Sequence, residues 1–424
     1  MATATRIYLD HAATSWPKPE AMLAAMDRFA RDCGAAAGRG GYRSAIEAGQ
    51  VIETLRRELA DRIRAERPEC VSFHPSGTAA LNVAIHGLLR PGDHVVTTAA
   101  EHNSVLRPLH QLASRGQVEW TVVPCDATGR VDPQTLLSAV RDQTRLVAVT
   151  HASNVTGVVQ PLAEIGQALR DHPAAVLCDA AQTFGYLPID VRQLGVDLLA
   201  SPGHKGGRGP FGTAFLYVHP RWHDRIEPLT QGGTGSRSES LEMPAEMPSK
   251  LEPGIVNAPA LAGWLASLRE IATRPPEEVT IHLRDLDWRL RQGLAELPAV
   301  RVFGIAAPPQ QPGQPERPRP AGRSVDAGRA ADGASPPTAE AATNSLPIVS
   351  LSVEGLSPSD LATILDVEFG IEVRAGLHCA ALIHTALGSD PEGTLRVSGG
   401  HVTTEREVQA FLDAMAEITA GMTV

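Results

Sequence analysis

Short apolar runs rich in β-branched residues alternate with amphipathic stretches through the first half of the chain. The runs that read as strands are Cys70 to Phe73, His94 to Thr98, Glu119 to Val123, Leu146 to Thr150, Ala175 to Asp179, Leu198 to Ala200 and Thr213 to Tyr217. Helical periodicity lies between them, over Thr78 to Leu89, Pro133 to Val140 and Leu162 to Arg170. Strand and helix in alternation predict an α/β fold with a mainly parallel sheet covered on both faces. Ligands collect beyond the carboxyl ends of such strands. Ser76, His102, Asn154, Asp179, His204 and Lys205 all fall just past a predicted strand or at its last residue.

The second half reads differently. A long helical stretch from Asn257 to Leu297 links the large domain to a smaller α+β unit. In that unit Leu346 to Val353 predicts a strand, and Pro358 to Phe369 and Thr404 to Ile418 predict helices. Residues 308–342 are rich in Pro, Gly, Ala and Arg without an apolar period, which predicts a loosely held insertion. The expected division is a large domain over 21–256 and a small domain over 1–20 and 257–424.

Charge and cysteine usage narrow the function. A net charge of −10 and the lack of a basic patch with interleaved aromatics argue against nucleic acid and acidic membrane surfaces as partners. No apolar run is long enough to span a bilayer, and the first residues lack a signal pattern. The cysteines Cys33, Cys70, Cys125, Cys178 and Cys379 are odd in number and form no CxxC. That pattern predicts reduced thiols in the cytoplasm and neither a disulfide framework nor a metal site.

Lys205 carries the sharpest chemical signal. The chain uses arginine almost everywhere and keeps only Lys18, Lys205 and Lys250 as lysines. Lys205 sits in a glycine-rich turn after an apolar run, and a parallel run upstream ends on Asp179. A lysine amine can form a Schiff base with an aldehyde cofactor, and a carboxylate can face a pyridinium nitrogen. Pyridoxal phosphate chemistry asks for these two groups. Ser76-Gly77-Thr78 opens a helix after a strand and would favour a phosphate, although the same turn also serves as a plain helix cap.

Glu101-His102, Ser153-Asn154, Asp179-Ala-Ala-Gln182 and Gly203-His204-Lys205 together resemble the class V aminotransferase branch of fold-type I pyridoxal phosphate enzymes. Arg374-Ala-Gly-Leu-His-Cys379 and Thr394-Leu-Arg396 resemble the C-terminal motifs of the group II cysteine desulfurases and selenocysteine lyases. The resemblance spans nearly the whole chain outside the proline-rich insertion. It implies a seven-stranded, mainly parallel large sheet that binds pyridoxal 5'-phosphate. By resemblance Lys205 holds the cofactor, Asp179 pairs with its ring nitrogen, and His102 stacks on the ring. Asn154 and Gln182 lie near the phenolic oxygen, and Ser76, Gly77, Thr78 and His204 lie near the phosphate. Arg396, with Arg374 and Asn154 close by, takes the substrate carboxylate.

The resemblance also implies that L-cysteine or L-selenocysteine is the substrate, that alanine is released, and that Cys379 carries a persulfide. His378, Arg374 and an exposed position are expected to favour the Cys379 thiolate. A homodimer and a sulfur-acceptor protein are the implied partners. Two positions depart from the pattern: Pro202 and Ile255 stand where relatives usually place phosphate-binding hydroxyls, with Thr234 in a nearby glycine turn as a substitute donor. His11 is a third departure. The competing readings are a class V transaminase, epimerase or C–S lyase acting on another amino acid, which needs no nucleophilic thiol, and a non-catalytic protein that binds the cofactor.

Overall fold

The computed structural model describes residues 6–38, 40–235, 239–305 and 345–422, so the insertion expected at 308–342 lies outside the described residues. The chain opens with a two-residue strand, β1 (Ile7–Tyr8), followed by α1 (Glu20–Arg28) and α2 (Arg43–Ile63). The large sheet is built from β2 (Val71–His74), β3 (Asp93–Thr98), β4 (Val118–Val123), β5 (Thr144–Thr150), β6 (Ala175–Asp179), β7 (Leu198–Pro202) and β8 (Ala214–Val218). The crossovers carry α3 (Gly77–Leu88), α4 (Asn103–Ser114), α5 (Pro133–Ser138), α6 (Leu162–Ala168) and α7 (Val191–Leu194).

The strand order is β2-β8-β7-β6-β5-β3-β4. All neighbours run parallel except β8, which is antiparallel to both β2 and β7. The expected seven-stranded, mainly parallel sheet is therefore the one that forms. β6, β7 and β8 are buried along their whole length, as their unbroken apolar runs require when both faces are covered. Helix starts follow local chemistry: Ser76 Oγ accepts from Ala79 N at 3.1 Å, and His102 Nδ1 accepts from Ser104 N at 3.0 Å. Both caps are also expected site residues, because the turn from strand to helix is where the backbone opens toward ligand.

The single helical stretch expected over Asn257 to Leu297 is instead two helices, α8 (Ala258–Ile271) and α9 (Pro276–Ala295). Pro275-Pro276 breaks the first, since proline offers no N–H to it, and Pro276 with Glu277 and Glu278 starts the second. Packing changes at this break: Leu261, Trp264 and Leu268 enter the large-sheet core, and Leu283, Leu286 and Leu290 enter a separate one.

The C-terminal unit built around that second core contains β9 (Val300–Phe303), β10 (Ile348–Val353), α10 (Pro358–Phe369), β11 (Ile371–Glu372), β12 (Arg374–Gly376), β13 (Thr394–Ser398) and α12 (Glu405–Gly421), while Ile383 and Leu387 of α11 (Ile383–Leu387) join the large-sheet core. The antiparallel order is β12-β13-β10-β9, and β1 pairs in parallel with β11. The N-terminal segment is thereby stitched to the C-terminal unit. Pairing also continues past β1, where Asp10 bridges to Ser398 at the end of β13. This crossing of distant segments carries Arg374 and Arg396 over the carboxyl ends of the large sheet.

Candidate active site

A cavity of about 240 Å³ opens where β5, β6 and β7 end. It gathers eleven of the thirteen positions expected from sequence; Cys379 and Thr234 do not line it. Asp179 ends β6 and is buried, with Oδ1 accepting from Ala181 N at 2.9 Å. Burial pushes its carboxyl above the usual range, opposed by that N–H and by Lys205. Burial in turn pulls the Lys205 amine down to about 8; Asp179 opposes this, while Arg396 and Arg374 add to it. The cavity thus holds an amine that is partly neutral near physiological pH beside a buried carboxyl group.

At one end Ser76, Gly77 and Thr78 form the opening turn of α3, whose first N–H groups have no carbonyl partner within the helix. A Cβ added at Gly77 would lie 3.1 Å from Pro202 Cδ, a tight contact that would push the two segments apart by a few tenths of an ångström. Thr78 Oγ1 bonds Ser104 Oγ at 2.8 Å, and Ser104 Oγ lies 2.9 Å from His102 Nδ1. Because Ser104 N–H also donates to Nδ1, the ring carries its proton on Nε2. Burial, then Lys205 and Arg374, push the His102 ring down to about 4, so it is neutral at pH 7. His204 also lines this end; its Nδ1 meets Thr14 Oγ1 at 3.1 Å, and its carbonyl accepts from Lys18 Nζ at 2.8 Å.

At the other end Arg396 is buried, with Nη2 on Asp10 Oδ1 at 2.6 Å and Nη1 on the Asn154 carbonyl at 2.9 Å. Its Nε has no partner among the described residues. Arg374, across the β12–β13 pair, completes a cationic wall. Gln182 Nε2 donates to the Ala12 carbonyl at 3.0 Å, which leaves its buried Oε1 unpartnered. Asn154 is committed differently from a ligand-facing amide: its Nδ2 donates to the His378 carbonyl at 2.7 Å.

Cys379 is exposed, and Arg374 Nη2 stands 3.5 Å from its Sγ. His378 and Cys379 both adopt positive φ, 50° and 58°, a conformation that side chains with a Cβ seldom take. The expectation that His378 adds positive charge beside the thiol is corrected. His378 is buried, its Nε2 lies 2.9 Å from Thr394 Oγ1 and 3.1 Å from the Thr394 carbonyl, and burial pulls it down to about 2. It is neutral, and Arg374 is the cation at the thiol.

Thr234 is the other displaced position. Its glycine turn is tied to the Ile255 turn by Gly254 N donating to the Gly233 carbonyl at 2.8 Å, away from the cavity. Ile255 is 71% exposed and borders an adjoining groove with Leu229 and Thr230. His11 is buried beneath the cavity floor against Gly400, and burial holds its ring down to about 3.

Sequence reasoning missed Asp10, Ser104 and Lys18 as parts of this site. Ser104 stands two residues past His102 and Asp10 one residue before His11, but their partners are remote or depend on side-chain direction. Lys18 was noticed only as a rare lysine. Its bond to the carbonyl before Lys205 depends on how the N-terminal segment crosses the sheet.

The description Aminotransferase class-V matches residues 7–314 and 335–411. A protein of Methanothermobacter thermautotrophicus named "Probable cysteine desulfurase" is 34% identical over 98% of this chain and 95% of its own length. Among solved structures, the apo cysteine desulfurase from Thermococcus onnurineus NA1 superposes with a TM-score of 0.84 at 30% identity, covering 98% of this chain and 95% of that one. The S-sulfonic acid form of the cysteine desulfurase CsdA from Escherichia coli gives 0.80 at 25% identity, over 98% and 95% of the two chains. Matches that run through both sheets, and not through one of them alone, place this chain in the class-V aminotransferase family.

Proposed function

We propose that this protein is a pyridoxal phosphate-dependent cysteine desulfurase that converts L-cysteine to L-alanine and leaves the sulfur on Cys379, with L-selenocysteine as a second substrate. The observation that carries the reading is an exposed thiol in a strained loop, 3.5 Å from Arg374, an arginine that itself lines the cavity containing a buried lysine and carboxyl group. A transaminase or epimerase has no use for that thiol.

The residues present fit the cofactor. A lysine amine, a buried carboxyl group, a bare helix start and an unpartnered Gln182 Oε1 meet in one cavity, and each matches a different edge of a phosphorylated pyridine aldehyde. Lys205 would hold it covalently, Asp179 would face the ring nitrogen, and the neutral His102 ring would lie against its face. Ser76, Gly77, Thr78 and His204 would hold the phosphate, and Gln182 and Asn154, which line the same cavity, would meet the phenolic oxygen. Bound there, pyridoxal phosphate supplies an electron sink that weakens the substrate C–S bond.

The protein's own groups do the rest. Arg396 receives the substrate carboxylate, oriented by Asp10 and the Asn154 carbonyl. Lys205, whose amine sits near 8, can accept a proton from the substrate Cα at neutral pH. Arg374 stands 3.5 Å from Cys379 Sγ, and the Cys379 thiolate takes the substrate sulfur.

Exposed Phe211, Leu229 and Ile255 support a homodimer in which the Ile255 and Thr234 turns reach the neighbouring chain's phosphate site. Five unpaired cysteines suit a reducing cytoplasm. No described helix is long and apolar enough to cross a membrane. The test is alanine and sulfide release from cysteine with a reductant present, for the parent and for Lys205→Ala. Parent activity that disappears in Lys205→Ala, together with loss of borohydride-fixable cofactor, is expected. Normal turnover by Lys205→Ala would sink the assignment.

A further inference from the structure

β7 ends at Pro202, and Lys205 stands beyond it in a stretch that contains Gly203, Gly206, Gly207 and Gly209. Such a backbone is costly to order, because glycine loses the most conformational freedom on folding. Within the stretch Gly209 N donates to the Gly203 carbonyl and Arg208 N to the Lys205 carbonyl, each at 2.8 Å. The carbonyls on either side of Lys205 are held from outside it. That of His204 accepts from Lys18 Nζ at 2.8 Å and from Ser15 N at 3.0 Å. That of Gly206 accepts from His401 Nε2 at 3.0 Å, which fixes the ring proton on Nε2.

The two outside donors ride on segments that are joined to each other. Lys18 lies between β1 and α1, and His401 lies in the turn between β13 and α12. Asp10 bridges to Ser398, and His11 N donates to the Ser398 carbonyl at 3.3 Å. Arg396 sits on the same β13, with Asp10 Oδ1 on its Nη2. His401 is itself fixed: it is buried, its carbonyl accepts from Arg274 Nη1 at 3.0 Å, and its ring packs on Tyr186 with centroids 4.8 Å apart. Burial pulls the His401 ring down to about 4, so at pH 7 it is a neutral donor. Its bond to Gly206 is a geometric link and adds no charge near the lysine.

We propose that His401 and Lys18 are positioning residues for Lys205, holding the carbonyls on either side of it so that its amine stays in register with Arg396. The proposal rests on the desulfurase reading above, in which Lys205 accepts the substrate Cα proton while Arg396 holds the carboxylate. Both groups act on one small molecule, and a misplacement of about 1 Å can cost about a hundredfold in rate. The same grip keeps the amine buried. Burial is the largest influence on Lys205 and brings it down to about 8, with Arg396 and Arg374 lowering it further and Asp179 and Asp10 opposing. His102 and His204, which feel the lysine charge, are neutral at pH 7. A backbone free to shift would let the amine reach water and return toward its usual value.

The test uses the full-length chain with and without cofactor. Without cofactor, acetic anhydride labelling against pH reads the Lys205 amine by mass spectrometry, with Lys18 and Lys250 as the other lysines. His401→Phe keeps a ring, removes the donor and changes no charge near neutral pH. Its Lys205 labelling midpoint should rise by about one pH unit, and hydrogen exchange over residues 203–209 should quicken about tenfold. In the holoenzyme kcat for alanine release should fall about tenfold, with KM for cysteine within about twofold of the parent. His401→Gln returns an amide donor to the Gly206 carbonyl and should recover most of these changes. Lys18→Met should repeat the exchange and kcat changes and Lys18→Arg should reverse them, which decides the matter if His401→Phe does not fold. An unmoved midpoint with unmoved exchange in His401→Phe overturns the proposal. So does a KM that rises in step with the fall in kcat, or an equal defect in His401→Gln. A parent holoenzyme that releases no alanine overturns the desulfurase reading, while the cofactor-free measurements still decide the grip on Lys205.

Discussion

Replacing Asp10 by asparagine keeps shape and removes one charge from the Arg396 pair. The Arg396 side chain is 1% exposed and its Asp10 partner 18%, with 2.6 Å between Nη2 and Oδ1. Burial pulls the guanidinium below its usual value, and Asp10 is the largest opposing influence. Breaking a buried pair by removing one partner costs about 3–5 kcal/mol, because a charge is left without compensation. The partial exposure of Asp10, and the bond that Arg396 keeps to the Asn154 carbonyl, place the expected loss at the lower end, about 3 kcal/mol. With a urea dependence of about 3 kcal/mol per molar, the midpoint should fall by about 1 M. Two further readouts separate this from a generic defect. KM for cysteine should rise more than kcat falls, since the guanidinium loses its orientation toward the carboxylate before chemistry begins. The stability loss should also persist at high salt, because a buried charge is poorly screened. Tryptophan fluorescence in urea and steady-state alanine release measure all three. An unchanged midpoint with an unchanged KM would refute the placement of Arg396 as a buried, Asp10-oriented carboxylate receptor.

Cys379→Ser should keep the cofactor absorbance while cysteine desulfuration drops by orders of magnitude, read as alanine release; full retention would favour a C–S lyase. Glu101 is buried behind Asp179 and bonded by Thr98 Oγ1 at 2.7 Å and Thr150 N at 2.8 Å, and burial pushes its carboxyl up to about 8. The folded state therefore binds this proton more tightly than the unfolded chain, so stability falls as pH rises from about 4.5 to about 8. Glu101→Gln should flatten that slope in urea titrations, and an identical pH profile would refute the burial argument. Pro202→Ser and Ile255→Thr should each strengthen cofactor binding by about 1 kcal/mol, or about fivefold in Kd, by restoring a hydroxyl near the phosphate. Cofactor titration checks this, and unchanged affinity would mean that the helix start and His204 already satisfy the phosphate.

The strand–helix alternation determined the large sheet, because an apolar run of strand length buried on both faces has few other ways to hide. The same alternation put Asp179, Lys205, Ser76 and His102 at strand exits, since site residues of a parallel sheet are local to the turns that leave it. The Pro275-Pro276 break stands in the sequence, but the helical period on either side of it read as one continuous stretch. What the sequence could not decide are the contacts made across hundreds of residues. Asp10 reaches Arg396 because β1 joins the C-terminal unit, and no periodicity encodes that pairing. Charge state was equally hidden: His378 reads as a cation beside a thiol until burial against Thr394 makes it neutral. The C-terminal motif brings arginine, histidine and cysteine close in sequence. The histidine nonetheless packs inward and the thiol stays exposed on a turn where both residues have positive φ, a backbone state and a division of burial that motif spacing does not encode.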